Sequence, residues 1–164
     1  MLLSEILHTS VVKLELDAET KHEAVAELVD RLIQAHDLPM SQREAMIEAV
    51  DERESHGSTG MEHGVAVPHC GTDRVNEIIG AIGISKSGVP FESTDREPAH
   101  IIILLLLPKR QFAERVHTMA GVAHLLENAD LRASIQSATD ADALLSTIVS
   151  AEANEKFAHI RVSP

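Results

Sequence analysis

An α/β layered domain, with a mixed central sheet flanked by helices on both faces, is predicted by three features of the 164-residue sequence. Apolar runs of strand length lie among segments whose apolar residues recur at helical spacing. One run, residues 101–107, is apolar without interruption, as a strand covered on both faces must be. Capping signals open several of the helical segments. Helices before, between and after the strands fit one layered unit rather than separate all-α and all-β parts.

In chain order, residues 11–16 largely alternate apolar and polar and predict a half-buried strand. Thr20 and Glu23 have capping-box spacing, and Val25, Leu28, Val29, Leu32 and Ile33 share one helical face, which predicts a helix over 20–36. Leu38-Pro39 stops it. Ser41 and Glu44 repeat the box spacing and open a helix running toward Arg53. Residues 65–67 read as a short strand ending at Pro68-His69, because Pro68 biases Val67 to extended backbone. Residues 78–84 and 101–107 are further strands, the second at the sheet centre. Helices are predicted over 113–126, 130–137 and 139–151, the last capped by the Thr139 to Asp142 stretch. Periodicity then fades, so the domain is set at residues 1–152 and residues 153–164 are expected to form a loose C-terminal tail.

Composition removes several function classes. A net charge of -12 argues against nucleic acid or an anionic membrane as partner, since both need a basic face. It leaves room for a basic protein partner, toward which the rim of the site is expected to present acidic charge. The single cysteine, Cys70, forbids an internal disulfide, and the cytoplasm is the expected compartment. Residues 101–107 fall far short of the ~20 residues of a membrane helix, so no membrane insertion is expected. Aromatic residues make up only 2%, with neither Trp nor Tyr, so stacking platforms for sugars or bases are nearly absent.

The chemistry concentrates between Arg53 and His69. An imidazole after a short apolar strand, faced by the loop Gly57-Ser58-Thr59-Gly60, is what a covalent phosphate acceptor requires. A free ring nitrogen near neutral pH is a good nucleophile, and glycines let backbone N–H groups approach an anion. The bland alternative for His69 is a core histidine bonded to backbone. Arg53 either pairs with Glu48, Glu52 or Glu54 or offers its planar fork to phosphate. Ser58, Thr59 and Gly60 either shape a turn or bind phosphoryl oxygens. Cys70 with His56, His63 and His124 invites a zinc reading, but the spacing matches no zinc motif, so neither metal nor cofactor is expected. His8, His22, His36 and His159 have polar neighbours and read as solvated surface.

Arg53-Glu54, then Ser58-Thr59-Gly60, then Gly64-Val65-Ala66-Val67-Pro68-His69 resembles the active-site region of fructose/mannitol-type EIIA domains of the bacterial phosphoenolpyruvate-dependent sugar phosphotransferase system, including the nitrogen-regulatory branch. The likeness runs from about residue 2 to about residue 150. It implies a mixed central sheet flanked by helices and phosphorylation of His69 by the HPr phosphocarrier. It also implies an active-site arginine at Arg53 and a second active-site histidine at His117. Two uses of this chemistry follow: transfer of the phosphoryl group to a cysteine of an EIIB protein, or a regulatory switch in which the state of His69 selects a target protein. Cys70 does not match the EIIB phosphocysteine, which the resemblance places on a separate module.

Overall fold

The computed structural model describes the backbone of residues 1–161 and the side chains of residues 1–155. Six helices and six strands follow one another as α1 (Leu3–Ile6), β1 (Val12–Lys13), α2 (Lys21–Gln34), α3 (Arg43–Ser55), β2 (Gly60–Met61), β3 (Val65–Ala66), β4 (His69–Thr72), β5 (Ile79–Val89), β6 (Ala99–Pro108), α4 (Phe112–Leu125), α5 (Ala129–Ser137) and α6 (Ala141–Arg161). The strands form one mixed sheet in the order β1-β5-β6-β3-β2, and β4 also pairs with β6. The β5/β6 and β2/β3 pairs are antiparallel, whereas β1 runs parallel to β5 and both β3 and β4 run parallel to β6.

The apolar run predicted at the centre is there. Ile101 through Leu107 are each at most 1% exposed, which is possible only if both faces of β6 are covered. Helix α2 packs on β5 and β6, α3 on α2 and β4, and α4 and α5 on β6, with α6 against α5 and α1.

Several boundaries moved. Strand β1 keeps only two of the six expected residues, although one further bond, Leu16 N–H to the Ile84 carbonyl at 2.8 Å, continues its line. Strand β5 runs on to Val89 through an irregularity after Ile84, where exposed Lys86 and Ser87 break the apolar pattern. At α2, the Thr20 hydroxyl accepts the Glu23 N–H at 3.2 Å, while the Glu23 carboxylate takes the amide of Glu19 instead of that of Thr20. The second capping box does not form. Pro39 leads into a 3₁₀ turn over Met40–Gln42, so Ser41 lies inside that turn and Glu44 pairs with Arg43.

Helix α6 continues to Arg161, ten residues past its expected end, so the tail as predicted is helical over most of its length, and residues 162–164 lie outside the described residues. Glu152 ties the helix to the start of the chain. Its carboxylate, 6% exposed, accepts the N–H groups of Leu3 at 2.9 Å and Ser4 at 3.1 Å, fastening the first turn of α1 to α6. Those two amides lose a charged acceptor in Glu152→Ala, so urea unfolding is expected to show a loss of about 2 kcal/mol. Glu152→Gln, which retains one carbonyl oxygen, should lose less.

Candidate functional site

Strands β3 and β4 lie end to end along the same edge of β6, β3 beside Ile101 and Ile102 and β4 beside Leu105 to Pro108. Val67 and Pro68 fill the gap between them. Proline has no N–H to give the ladder, but its carbonyl accepts from Leu105 at 3.1 Å, so the edge resumes at once. His69 is therefore the first residue of β4, not the last of the strand before it, which is where sequence placed it.

The break supplies an acceptor to the histidine. The Val67 carbonyl lies 2.8 Å from His69 Nδ1. A carbonyl only accepts, so Nδ1 carries the hydrogen and Nε2 holds the free lone pair. The half-buried ring stays neutral below the ordinary imidazole range chiefly because burial disfavours its charged form. The bond to Val67 opposes that shift, and Arg53 reinforces it. The Glu54 carboxylate opposes it further, and Arg115 adds to the lowering.

Cations thus outnumber anions around the ring, contrary to the acidic rim expected from net charge. Arg53, at the end of α3, donates from Nη1 to the Gly57 carbonyl at 2.9 Å, so it both holds the loop and places its charge near His69. Arg115 comes from α4. Along β4, His69 and Gly71 share one face while Cys70 and Thr72 are buried on the other. The Arg115 guanidinium lies over Gly71: a Cβ there would sit 2.5 Å from Nη2 and 2.8 Å from Cζ, so only glycine leaves room for it. Exposed Lys109 and Arg110 follow the end of β6, and the aromatic ring of Phe112 and the side chain of Val116 stand 69% and 54% exposed on the first turns of α4.

The Ser58-Thr59-Gly60 loop is engaged with its own scaffold. Glu54, 8% exposed, accepts the Thr59 amide at 2.9 Å and the Thr59 hydroxyl, and pairs with Lys21 at 3.3 Å. Ser58 donates its hydroxyl to the Phe91 carbonyl and accepts the Gly60 amide at 3.0 Å. Gly60 itself is packed so closely on Ser93 and Phe91 that a side chain would collide with both. These groups hold the loop that Arg53 grips, and their hydrogen-bonding capacity toward a ligand is largely spent.

His117 is not among the charged groups that act on His69. It is exposed on α4 and lines a groove with Leu2, Leu3, Gly121, Glu152 and Glu155. Positions 115 and 117 are about 200° apart around a helix, so only one of them can face the sheet. The buried residues Thr118, Val122 and Leu125 set that face, and Arg115 continues their stripe. This spacing was readable in the sequence and singles out Arg115, which sequence reasoning missed. Cys70 points into the core, and burial pushes its thiol up to about 11, so it is a packed residue rather than a nucleophile. His56, His63 and His124 are exposed, as are His8, His22 and His36. His8 and His22 pair with Asp37 and Asp51, and His159 lies outside the described side chains.

The comparisons with known proteins bear on the family and the fold. Residues 5–151 match the family model described as phosphoenolpyruvate-dependent sugar phosphotransferase system, EIIA 2. A fructose-specific EIIABC component from Bacillus subtilis is 31% identical over 148 residues, covering 90% of this chain but 23% of that protein, so the chain spans under a quarter of its length. A nitrogen regulatory protein from Bradyrhizobium diazoefficiens is 27% identical over 148 residues, covering 90% of this chain and 95% of that protein. The crystal structure of the nitrogen regulatory protein IIA-Ntr from Neisseria meningitidis superposes with a TM-score of 0.81 at 25% identity, over 89% of this chain and 98% of that one. With nearly the whole length inside the matched model and the same fold in a solved relative, the chain belongs to the EIIA type 2 family of the phosphoenolpyruvate-dependent sugar phosphotransferase system.

Proposed function

We propose that the chain is a phosphocarrier that accepts a phosphoryl group on His69 Nε2 from an HPr-type protein. It passes the group to a cysteine of an EIIB protein. The observation that carries this reading is the bond from His69 Nδ1 to the Val67 carbonyl, which leaves Nε2 as the nucleophile. In the first transfer the Nε2–P bond forms as the donor's N–P bond breaks, and the donor nitrogen keeps the electron pair and leaves as imidazole. Nothing is oxidised or reduced. Arg53 neutralises charge on the transferring oxygens, the main way such transfers are stabilised.

Incubation with phosphoenolpyruvate, enzyme I and HPr, followed by intact mass and ³¹P NMR, tests the reading. One acid-labile phosphoryl group attached at Nε2 is expected; attachment at Nδ1 would contradict the tautomer argument. An NMR titration of the His69 ring should show the neutral form persisting below the ordinary value of about 6.5, so acceptance stays available at mildly acid pH and fails only beneath the lowered pKa. A ring that protonates at or above the ordinary value would remove the burial and the arginines as its determinants.

The likeness to nitrogen regulatory proteins supports a second use of the same chemistry, in which phosphorylated His69 selects a regulatory target and no sugar moves. The added charge of about −2 on a half-buried ring is enough to change a complementary interface. Mixing the phosphorylated chain with EIIB separates the two: loss of label to the EIIB cysteine supports the transport route, and retention of label supports the regulatory one.

A further inference from the structure

Arg115 carries a positive charge that the protein itself does not answer. Its Nε is buried without a hydrogen-bond partner, and among the described residues its guanidinium forms neither a hydrogen bond nor an ion pair. The nearest aromatic ring, Phe112, lies 5.9 Å from Cζ. Leaving buried donors unpaired is costly, and that cost is recovered when an anion arrives. The guanidinium rests on the glycine one pleat along from His69, on the same face of β4.

We propose that Arg115 is a second phosphoryl ligand of this site, acting with Arg53 on the oxygens of the group carried by His69. The assignment rests on the phosphohistidine reading above. Two N–H groups of the planar fork match two phosphoryl oxygens, which a lysine ammonium cannot do. Gly71 is the second half of the device. Its missing side chain is the space in which the guanidinium lies, so the pair Gly71 and Arg115 works as one anion-binding unit.

The site can be tested without any protein partner by using phosphoramidate as donor. Nε2 attacks phosphorus, the P–N bond breaks and ammonia leaves, so the rate reports the carrier's own groups. Phosphorylation of Arg115→Gln is expected to be about 10-fold slower, the usual effect of one charge-assisted donor. The second ionisation of the phosphoryl group, read by ³¹P NMR, should move up because a cation that favoured the dianion is gone; a residue that only supports the fold would not move it. Arg115→Lys should restore the ionisation in part and the rate less. Gly71→Ala displaces the guanidinium while leaving the arginine in place, so it should reproduce Arg115→Gln and serves if that variant folds poorly. A wild-type chain that takes no phosphoryl group on His69 overturns the phosphocarrier reading and this assignment with it. A wild-type chain labelled on His69, with Gly71→Ala and Arg115→Gln unchanged in rate and phosphoryl ionisation, overturns the role of Arg115 alone.

Discussion

His69→Ala is expected to take up no phosphoryl group from phosphorylated HPr, whereas the wild-type chain is expected to take up one. The expected loss is complete because no other side chain combines the needed features. Cys70 is buried with its thiol pushed up to about 11, and among the described residues the remaining histidines lack the Val67 contact and the two arginines beside it. His69→Gln makes the test independent of folding, since its amide can still donate to the Val67 carbonyl while offering no nucleophile. Acid-labile phosphate on either variant by intact mass would return His69 to the role of a core histidine bonded to backbone.

Glu54→Ala should be the most damaging change outside the nucleophile. The carboxylate holds the Thr59 amide, the Thr59 hydroxyl and Lys21, joining the start of α2, the end of α3 and the loop before β2. Removing the buried carboxylate leaves the Thr59 amide and hydroxyl without an acceptor, at a cost of about 3 kcal/mol, while Lys21 keeps Glu92 as a partner. The loop that Arg53 grips would loosen as well, so phosphate acceptance should fall further than the fraction unfolded explains. Glu54→Gln keeps an acceptor for the Thr59 amide and should lie between alanine and wild type. A urea midpoint for Glu54→Ala equal to wild type would show that the loop is held by other contacts.

The legible part of the fold is the part whose signal lies in local runs and spacings of residues. β6 announced itself because seven consecutive apolar side chains can only be covered on both faces, and α2 because a cap and an apolar stripe coincide. β4 was invisible: His69, Cys70, Gly71 and Thr72 have no strand periodicity, and they form a strand only because β6 offers an open edge there. Ser58 and Thr59 read equally as turn formers or phosphate ligands, because sequence cannot tell that the Glu54 carboxylate turns inward to take Thr59 while Ser58 bonds the Phe91 carbonyl. His117 is implied by the family resemblance, whereas helical phase turns Arg115, two positions before it, toward the sheet.

The ring of His69 is oriented by a main-chain oxygen, and that choice shapes how the domain can change over evolutionary time. Where a carboxylate side chain sets an imidazole, a single codon change is enough to undo it. A peptide carbonyl survives every substitution at its own position so long as the backbone path is kept. The free nitrogen is thus set by the interrupted edge at Val67 and Pro68 rather than by any helper side chain. On the phosphocarrier reading, a change at Arg53 or Arg115 would retune how strongly the phosphoryl group is held without disturbing which atom receives it.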